Sequence, residues 1–205
     1  MRNTRLKIVG IGGTLREDST SLGALSRVLR AAEEAGAASE LLDLRVLDLP
    51  MYVPGKKLGE YGGKVERFLD DVREADALVI STAAYHGTLA GVTKNALDFI
   101  QFLAKDENPY LDGKVAGLVS TAGGYQAANN ATGALVNVVH ALRGVVAPLM
   151  VPIPKVWQIS DGHGNITDEN YAGRLDRLGA LLVDLASKLG TEESPGREVL
   201  QAVSK

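Results

Sequence analysis

Apolar runs alternate with amphipathic stretches along most of the chain. Five apolar runs predict buried strands, at residues 6–11, 39–44, 77–82, 114–121 and 145–153. Apolar positions three and four apart predict helices at residues 19–36, 64–74, 92–103 and 171–189, and another that ends near residue 142. Alternating strands and helices build a parallel sheet with helices on both faces, because right-handed crossovers pack that way. The predicted fold is α/β, with a doubly wound five-stranded parallel sheet.

The loops after the first, third and fourth strands form the candidate site, because ligands of such sheets bind beyond the carboxyl ends of the strands. The first loop, residues 12–21, begins with two glycines and leads into a helix N-terminus. Backbone N–H groups and the helix dipole attract anions there. Hydroxyl groups and an arginine suited to phosphate lie in the same loop: Thr14, Arg16, Ser19, Thr20 and Ser21.

This first loop has two interpretations. It binds a phosphate, or Ser19 is only a helix N-cap that follows a glycine turn. The dinucleotide pattern G-x-G-x-x-G would begin at Gly10 and Gly12 but has Leu15 where the third glycine belongs, and the pattern GxxxxGK[ST] is absent. These departures disfavour NAD bound in the Rossmann manner and ATP bound by a P-loop. Many hydroxyls suit a terminal monophosphate, such as that of FMN.

The other two loops contain aromatic side chains and glycines. The third strand is followed by Ala83, Ala84, Tyr85, His86, Gly87 and Thr88, and the fourth strand leads into Ser120, Thr121, Ala122, Gly123, Gly124 and Tyr125. A planar ligand could stack on the aromatic residues and approach the glycines closely. The alternatives are that His86 is an ordinary loop histidine, that the second segment is a common turn, and that Trp157 packs internally or at a subunit interface.

Composition narrows the function classes. The chain has 22 Lys and Arg against 25 Asp and Glu, a net charge of −3, so we expect no binding to nucleic acid or to a membrane surface. No cysteine is present, so redox chemistry requires a cofactor. The sequence has neither a G-x-S-x-G elbow nor an H-E-x-x-H motif, and we predict no catalytic side chain and no metal site. A signal segment is not evident, and we expect a cytoplasmic protein.

Taken together, the three loops resemble those of the NADPH-dependent FMN reductase family of flavodoxin-like proteins. The phosphate loop of that family is similar to GTLREDS at residues 13–19. A second motif resembles AAYHGTLAG at residues 83–91 followed by Lys94, Asn95 and Asp98, and a third resembles residues 120–124. Three positions depart from the family pattern: Ala83 and Ala90 replace prolines, which would loosen the loop, and His86 stands where Asn is frequent.

The resemblance carries several implications. It implies strand order 2-1-3-4-5 in a three-layer α/β/α sandwich, with one FMN-binding domain at residues 1–190 and a polar tail at residues 191–205. FMN would be held at its phosphate by Thr14, Arg16, Ser19 and Ser21, and NADPH, or else NADH, would reduce it. Electrons would then pass to a small-molecule acceptor: free flavin, a quinone, an azo compound or a metal oxyanion. A homodimer or homotetramer is implied, and the alternative is an electron carrier without pyridine-nucleotide activity.

Overall fold

A computed structural model describes residues 5–190, so the predicted tail at residues 191–205 lies outside the described residues. Residues 5–190 form one seven-stranded sheet. Its strands are β1 (Lys7–Gly12), β2 (Ala38–Asp43), β3 (Ala77–Tyr85), β4 (Thr88–Leu89), β5 (Val115–Thr121), β6 (Val145–Val146) and β7 (Val151–Ile153). The order β2-β1-β3-β5-β6 is parallel throughout, with β7 also parallel to β5. This confirms the predicted fold class and the order 2-1-3-4-5.

Helices cover both faces of the sheet. They are α1 (Thr20–Glu34), α2 (Leu44–Leu47), α3 (Gly63–Glu74), α4 (Gly91–Phe99), α5 (Tyr125–Ala141) and α6 (Glu169–Leu189). Successive residues of a strand point to opposite faces, so Ile8 packs with α1 and α6, whereas Val9 and Ile11 pack with α3, α4 and α5. Two hydrophobic clusters therefore sandwich the sheet, as the apolar runs predicted.

The last predicted strand, residues 145–153, is not continuous. It is split into β6 and β7, which pair with the beginning and the end of β5 respectively. Pro148 lies between them and has no N–H to donate to a strand ladder, which interrupts the pairing. The third strand, by contrast, is longer than predicted, because residues 84 and 85 pair with β4 in a hairpin.

The long connection at residues 50–63 is packed against α4. Asn95 is buried; its side-chain oxygen accepts a hydrogen bond from the Tyr52 backbone N–H at 2.8 Å, and its amide nitrogen donates to the Pro50 carbonyl at 2.9 Å. Tyr61 meets Phe99 edge-on, with ring centroids 5.0 Å apart. The amide group of Asn95 thus satisfies backbone groups of a connection that contains no strand.

Helices α1 and α6 approach each other closely at Gly179 of α6. A Cβ atom on Gly179 would lie 2.4 Å from the Val28 carbonyl oxygen and 2.8 Å from the Ala31 Cβ. Beside this contact Arg27 donates two hydrogen bonds of 2.7 Å to the Asp176 carboxylate. A bidentate pair of this kind fixes the relative positions of the two helices as well as adding energy.

We predict that Gly179→Ala destabilises the protein and that Gly173→Ala on the same helix does not. The new methyl group at residue 179 would overlap backbone of α1, which costs about 1–3 kcal/mol in the free energy of unfolding. No atom lies within 4 Å of a Cβ at Gly173, so its replacement should raise the free energy of unfolding by about 0.5–1 kcal/mol through helix propensity. Urea denaturation of both variants measures the difference, and equal stabilities would contradict the close approach.

Candidate functional site

A cleft opens at the carboxyl ends of β1, β3 and β5. Its volume is about 170 Å³. Residues from all three predicted loops line it, together with one residue that follows β7: Thr14, Arg16, Asp18, Ser19, Thr20, Ala83, Ala84, Tyr85, Thr121, Ala122, Gly123 and Val156. The parallel pairing of β1 with β3 and of β3 with β5 brings these distant segments to one edge of the sheet.

The loop after β1 is shaped by its own hydroxyl groups. Ser19 Oγ accepts hydrogen bonds from the backbone N–H groups of Thr14 at 3.1 Å and Leu22 at 3.3 Å, so this side chain is the N-cap of α1. Thr14 Oγ1 accepts from the Arg16 N–H at 3.2 Å. Ser19 is therefore an N-cap, and its hydrogen bonds connect the loop to the N-terminus of a 15-residue helix, a position that favours negative charge.

Ser21 supports this loop from behind. Its hydroxyl lies 3.0 Å from Ser19 Oγ, it is almost completely buried, and it is not among the residues that line the cleft. Its carbonyl oxygen accepts a hydrogen bond of 2.7 Å from the Ser81 hydroxyl on β3. Ser21 thus connects the loop to the sheet, whereas Arg16 is exposed beside the cleft.

The segment after β3 forms a tight hairpin. His86 and Gly87 both have positive φ, 50° and 86°, and connect the paired residues Tyr85 and Thr88. A two-residue hairpin turn with positive φ at both central positions is the type I′ turn, which favours Asn at the first position. Tyr85 lines the cleft, but His86, Gly87 and Thr88 are exposed and do not.

The base of the hairpin is held by a pair of threonines. Thr82 Oγ1 accepts from the Ala90 backbone N–H at 3.0 Å and lies 3.0 Å from Thr93 Oγ1. Ala90 is buried and caps α4. These bonds connect the two ends of the segment, and the looser loop expected from alanine in place of proline at residues 83 and 90 stays a prediction.

The segment after β5 presents backbone to the cleft. Thr121 and Ala122 are buried, and Ala122 donates to the Ile153 carbonyl and accepts from the Val156 N–H. Gly123 lines the cleft, and the N–H groups of Gly123 and Gly124 have no acceptor among residues 5–190. Ser120 points the other way, with its hydroxyl donating to the Ala128 carbonyl at 2.8 Å. Tyr125 begins α5 and is exposed.

The turn after β7 contributes residues that the sequence pattern did not predict. Val156 lines the cleft, and a Cβ on Gly123 would lie 3.1 Å from the Trp157 ring. The Lys155 ammonium lies 5.5 Å from the centre of the Tyr125 ring. The sequence carried one signal for this turn, because the predicted fifth parallel strand ends at the same edge of the sheet. Asp18 is the other lining residue that was not predicted.

Two pKa shifts occur in the elements that surround the cleft. Burial raises the pKa of Tyr171, and the nearby Tyr125 adds to the effect. The Asn165 side chain and the His163 backbone N–H donate to the Asp161 carboxylate and lower its pKa. The loop thus closed at residues 161–165 touches α1, because a Cβ on Gly23 would lie 2.0 Å from the Gly164 carbonyl oxygen.

The donors present fit FMN. Buried hydroxyls and an arginine at a helix N-terminus suit its phosphate, and the uncovered N–H groups of Gly123 and Gly124 suit the polar edge of a flat ring. Among residues 5–190 there is no cluster of three or more His, Asp and Glu side chains that could hold a metal ion. None of the helices described is long and apolar enough to cross a membrane.

The fold and the cleft together define a flavodoxin-like α/β protein with a hydroxyl-rich loop between its first strand and its first helix. The model of the NADPH-dependent FMN reductase family matches residues 6–158, and the chain belongs to that family. Solved structures agree on the fold. The flavoenzyme NAD(P)H:acceptor oxidoreductase FerB from Paracoccus denitrificans superposes with a TM-score of 0.70 at 24% identity, over 89% of this chain and 98% of that one.

Curated relatives are reductases. An NAD(P)H-dependent FMN reductase from Pseudomonas aeruginosa is 33% identical over 58% of this chain and 61% of its own length. An NADPH azoreductase from a Bacillus species is 31% identical over 69% of this chain and 71% of its own length. The chain spans only 60% to 62% of the first three curated relatives that it matches. These similarities confirm the family that the three loop motifs indicated.

We predict that His86→Asn leaves FMN affinity unchanged, because His86 forms the turn and does not line the cleft. Asn tolerates positive φ better than other residues with a Cβ, so stability should be equal or slightly higher. His86→Val should instead lower the free energy of unfolding by about 1–2 kcal/mol, because a β-branched residue is strained at positive φ. Thermal unfolding and FMN titration measure both effects. Weaker FMN binding by His86→Asn would show that the imidazole contacts the flavin.

Proposed function

We propose that this protein is an NAD(P)H-dependent flavin oxidoreductase that uses FMN and passes electrons to a small-molecule acceptor. The observation that carries the proposal is the convergence of Thr14, Arg16 and Ser19 with the bare Gly123 backbone on one cleft. The family membership supports the same activity. Bound FMN would supply the redox chemistry, taking hydride from NADPH or NADH and giving electrons to a quinone, an azo compound, a metal oxyanion or free flavin.

The protein's contribution is binding and orientation. Thr14, Ser19 and Thr20 present hydroxyls where the phosphate would lie, and Arg16 supplies its positive charge. The N–H groups of Gly123 and Gly124 would donate to the pyrimidine edge and stabilise negative charge that develops there. Ser21 and Ser120 do not line the cleft and their hydroxyls form hydrogen bonds within the protein, so they would act by positioning the two loops. No side chain is required as a nucleophile or metal ligand.

We also propose a domain organisation, an oligomeric state and a cellular location for this protein. Residues 1–190 would be one FMN-binding domain, and the protein would be a homodimer or homotetramer in the cytoplasm, where reduced pyridine nucleotide is available. Asn95 and Phe99 of α4 are buried within the chain, so a subunit contact on this helix would use its other residues, such as Lys94 and Asp98. Light scattering measures the assembly directly.

We predict that Arg16→Gln weakens FMN binding by roughly tenfold or more, because a charge-assisted hydrogen bond contributes about 1.5–3 kcal/mol. Riboflavin, which lacks the phosphate, should bind both proteins equally. Arg45→Gln is the matched control: Arg45 pairs with Glu17 of the same loop and does not line the cleft. Fluorescence titrations of the wild-type protein and both variants with the two flavins measure these affinities. Equal FMN affinity in Arg16→Gln and wild-type protein would remove Arg16 from the phosphate site.

The activity itself is tested by adding NADPH to the FMN-loaded protein without oxygen. We expect the yellow absorption of oxidised flavin to bleach and to return when a quinone is added, because the quinone reoxidises the flavin. Heat-denatured protein with the same FMN is the control for direct reduction in solution. Flavin that stays oxidised with both NADPH and NADH would favour the electron-carrier alternative, and failure to bind FMN would refute the proposal.

A further inference from the structure

The most exposed aromatic rings belong to the hairpin and the two segments that contribute residues to the cleft. Among residues 5–190, the aromatic side chains that are at least half exposed are Tyr85 at 50%, Tyr125 at 61% and Trp157 at 64%. Tyr85 lines the cleft, and the Trp157 ring lies against Gly123, which also lines it. Other rings are covered, such as Tyr61, which packs on Phe99. Exposed aromatic surface gathered at one place is typical of a binding site.

A positive charge accompanies one of these rings. The Lys155 ammonium lies 5.5 Å from the centre of the Tyr125 ring. It forms no ion pair with any carboxylate in the described part of the chain, whereas Lys94 and Lys188 each form one and Lys7 forms two. A cation beside an aromatic ring and without an anionic partner can attract an anionic ligand that also stacks on the ring.

The backbone holds Lys155 in place. Its φ and ψ are 48° and 42°, the left-handed region in which a residue with a Cβ is strained. Hydrogen bonds lock the following turn: Gln158 N–H donates to the Lys155 carbonyl at 2.8 Å, and Val156 N–H donates to the Ala122 carbonyl at 3.1 Å. The turn that carries the cation is therefore fixed to the segment after β5. The exposed carboxylate that lines the cleft, Asp18, belongs to the loop after β1 beside Arg16.

We propose that Tyr125, Lys155 and Trp157 form a subsite for a flat aromatic second substrate that carries an anionic group. That the ligand is a second substrate rests on the proposed function. Its aromatic and anionic character is inferred from these three side chains alone. Two ligands have this chemistry. One is the 2′-phosphorylated adenosine of NADPH, and the other is an aromatic electron acceptor with a sulfonate or carboxylate substituent.

The test uses Trp157 as its own reporter, because it is the one tryptophan of the chain. Protein labelled with 5-fluorotryptophan and saturated with FMN gives a single fluorine resonance. Each of four probes is titrated into this protein, and affinities are compared within two pairs. One pair is anthraquinone-2-sulfonate and its neutral analogue 2-(hydroxymethyl)anthraquinone, and the other is adenosine 2′,5′-bisphosphate and adenosine 5′-monophosphate. We expect a saturable shift, with about fivefold tighter binding of the more anionic member of one pair at low salt. The pair that shows the preference identifies the source of the ligand.

Three variants separate charge from stacking. Lys155→Gln should abolish the preference for the anion, and salt at about 1 M should do the same to the wild-type protein by screening. Tyr125→Leu should weaken the binding of both members of the pair, because the stacking on the tyrosine ring is lost. Lys56→Gln is the matched control, since Lys56 also lies over a tyrosine ring, 4.3 Å from the centre of Tyr61. It should change nothing.

An unshifted resonance with all four probes, or a preference that survives Lys155→Gln, would overturn the subsite. A resonance that responds to protein concentration and not to the probes would also overturn it and would show that a second copy covers Trp157. The readout does not depend on NADPH oxidation. Bleaching of FMN by NADPH without any shift would refute the subsite alone, and a shift without bleaching would refute the proposed activity alone. If FMN does not bind, the same titrations are made without it.

Discussion

The structure depends on how closely β1 and β3 approach at the edge of the sheet where the cleft opens. Gly12 pairs with Ser81, and a Cβ on Gly12 would lie 2.4 Å from the Ser81 carbonyl oxygen. The Ser81 hydroxyl donates to the Ser21 carbonyl, which ties the first turn of α1 to β3. Because Gly12 has no side chain, the loop that follows it can turn over the sheet and place Thr14 and Ser19 beside Ala83. A larger residue at this point would separate the two strands and open the floor of the cleft.

The same helix is held from its other side by further close contacts. Gly23 meets the Gly164 carbonyl, and Gly179 meets the Val28 carbonyl, so α1 is fixed by the turn at residues 161–165 and by α6. An anion at a helix N-terminus gains most when the N–H groups are already oriented, since no conformational entropy is then lost on binding. Close packing along α1 would therefore orient the N–H groups of the loop before the proposed phosphate binds.

The two walls of the cleft differ in chemistry. The loop after β1 offers hydroxyls, a helix N-terminus and Arg16, which are suited to phosphate. The segments after β5 and β7 offer backbone N–H groups, exposed rings and Lys155. A ligand with a phosphate at one end and flat rings at the other matches this division. The cation on the second wall is then available to whatever binds next to the flavin, and this is the basis of the subsite proposed for a second substrate.

The sequence by itself determined the strands, the helices and the three loop motifs, because buried strands and amphipathic helices leave periodic patterns and the phosphate loop is continuous in the chain. Family and fold followed from those patterns. Only the tertiary structure decided which residues face the cleft. Among the residues predicted at the flavin, Ser21 and Ser120 form hydrogen bonds inside the protein through their hydroxyls and His86 belongs to a turn, and their contact with the flavin stays a prediction. Val156 reaches the cleft, with Lys155 and Trp157 next to it in the chain, through the pairing of β7 with β5, whose paired residues are 30 or more positions apart, and no loop motif marks these three residues. The side on which a hydroxyl or a ring lies is set by strand register and helix packing, and those are properties of the folded chain.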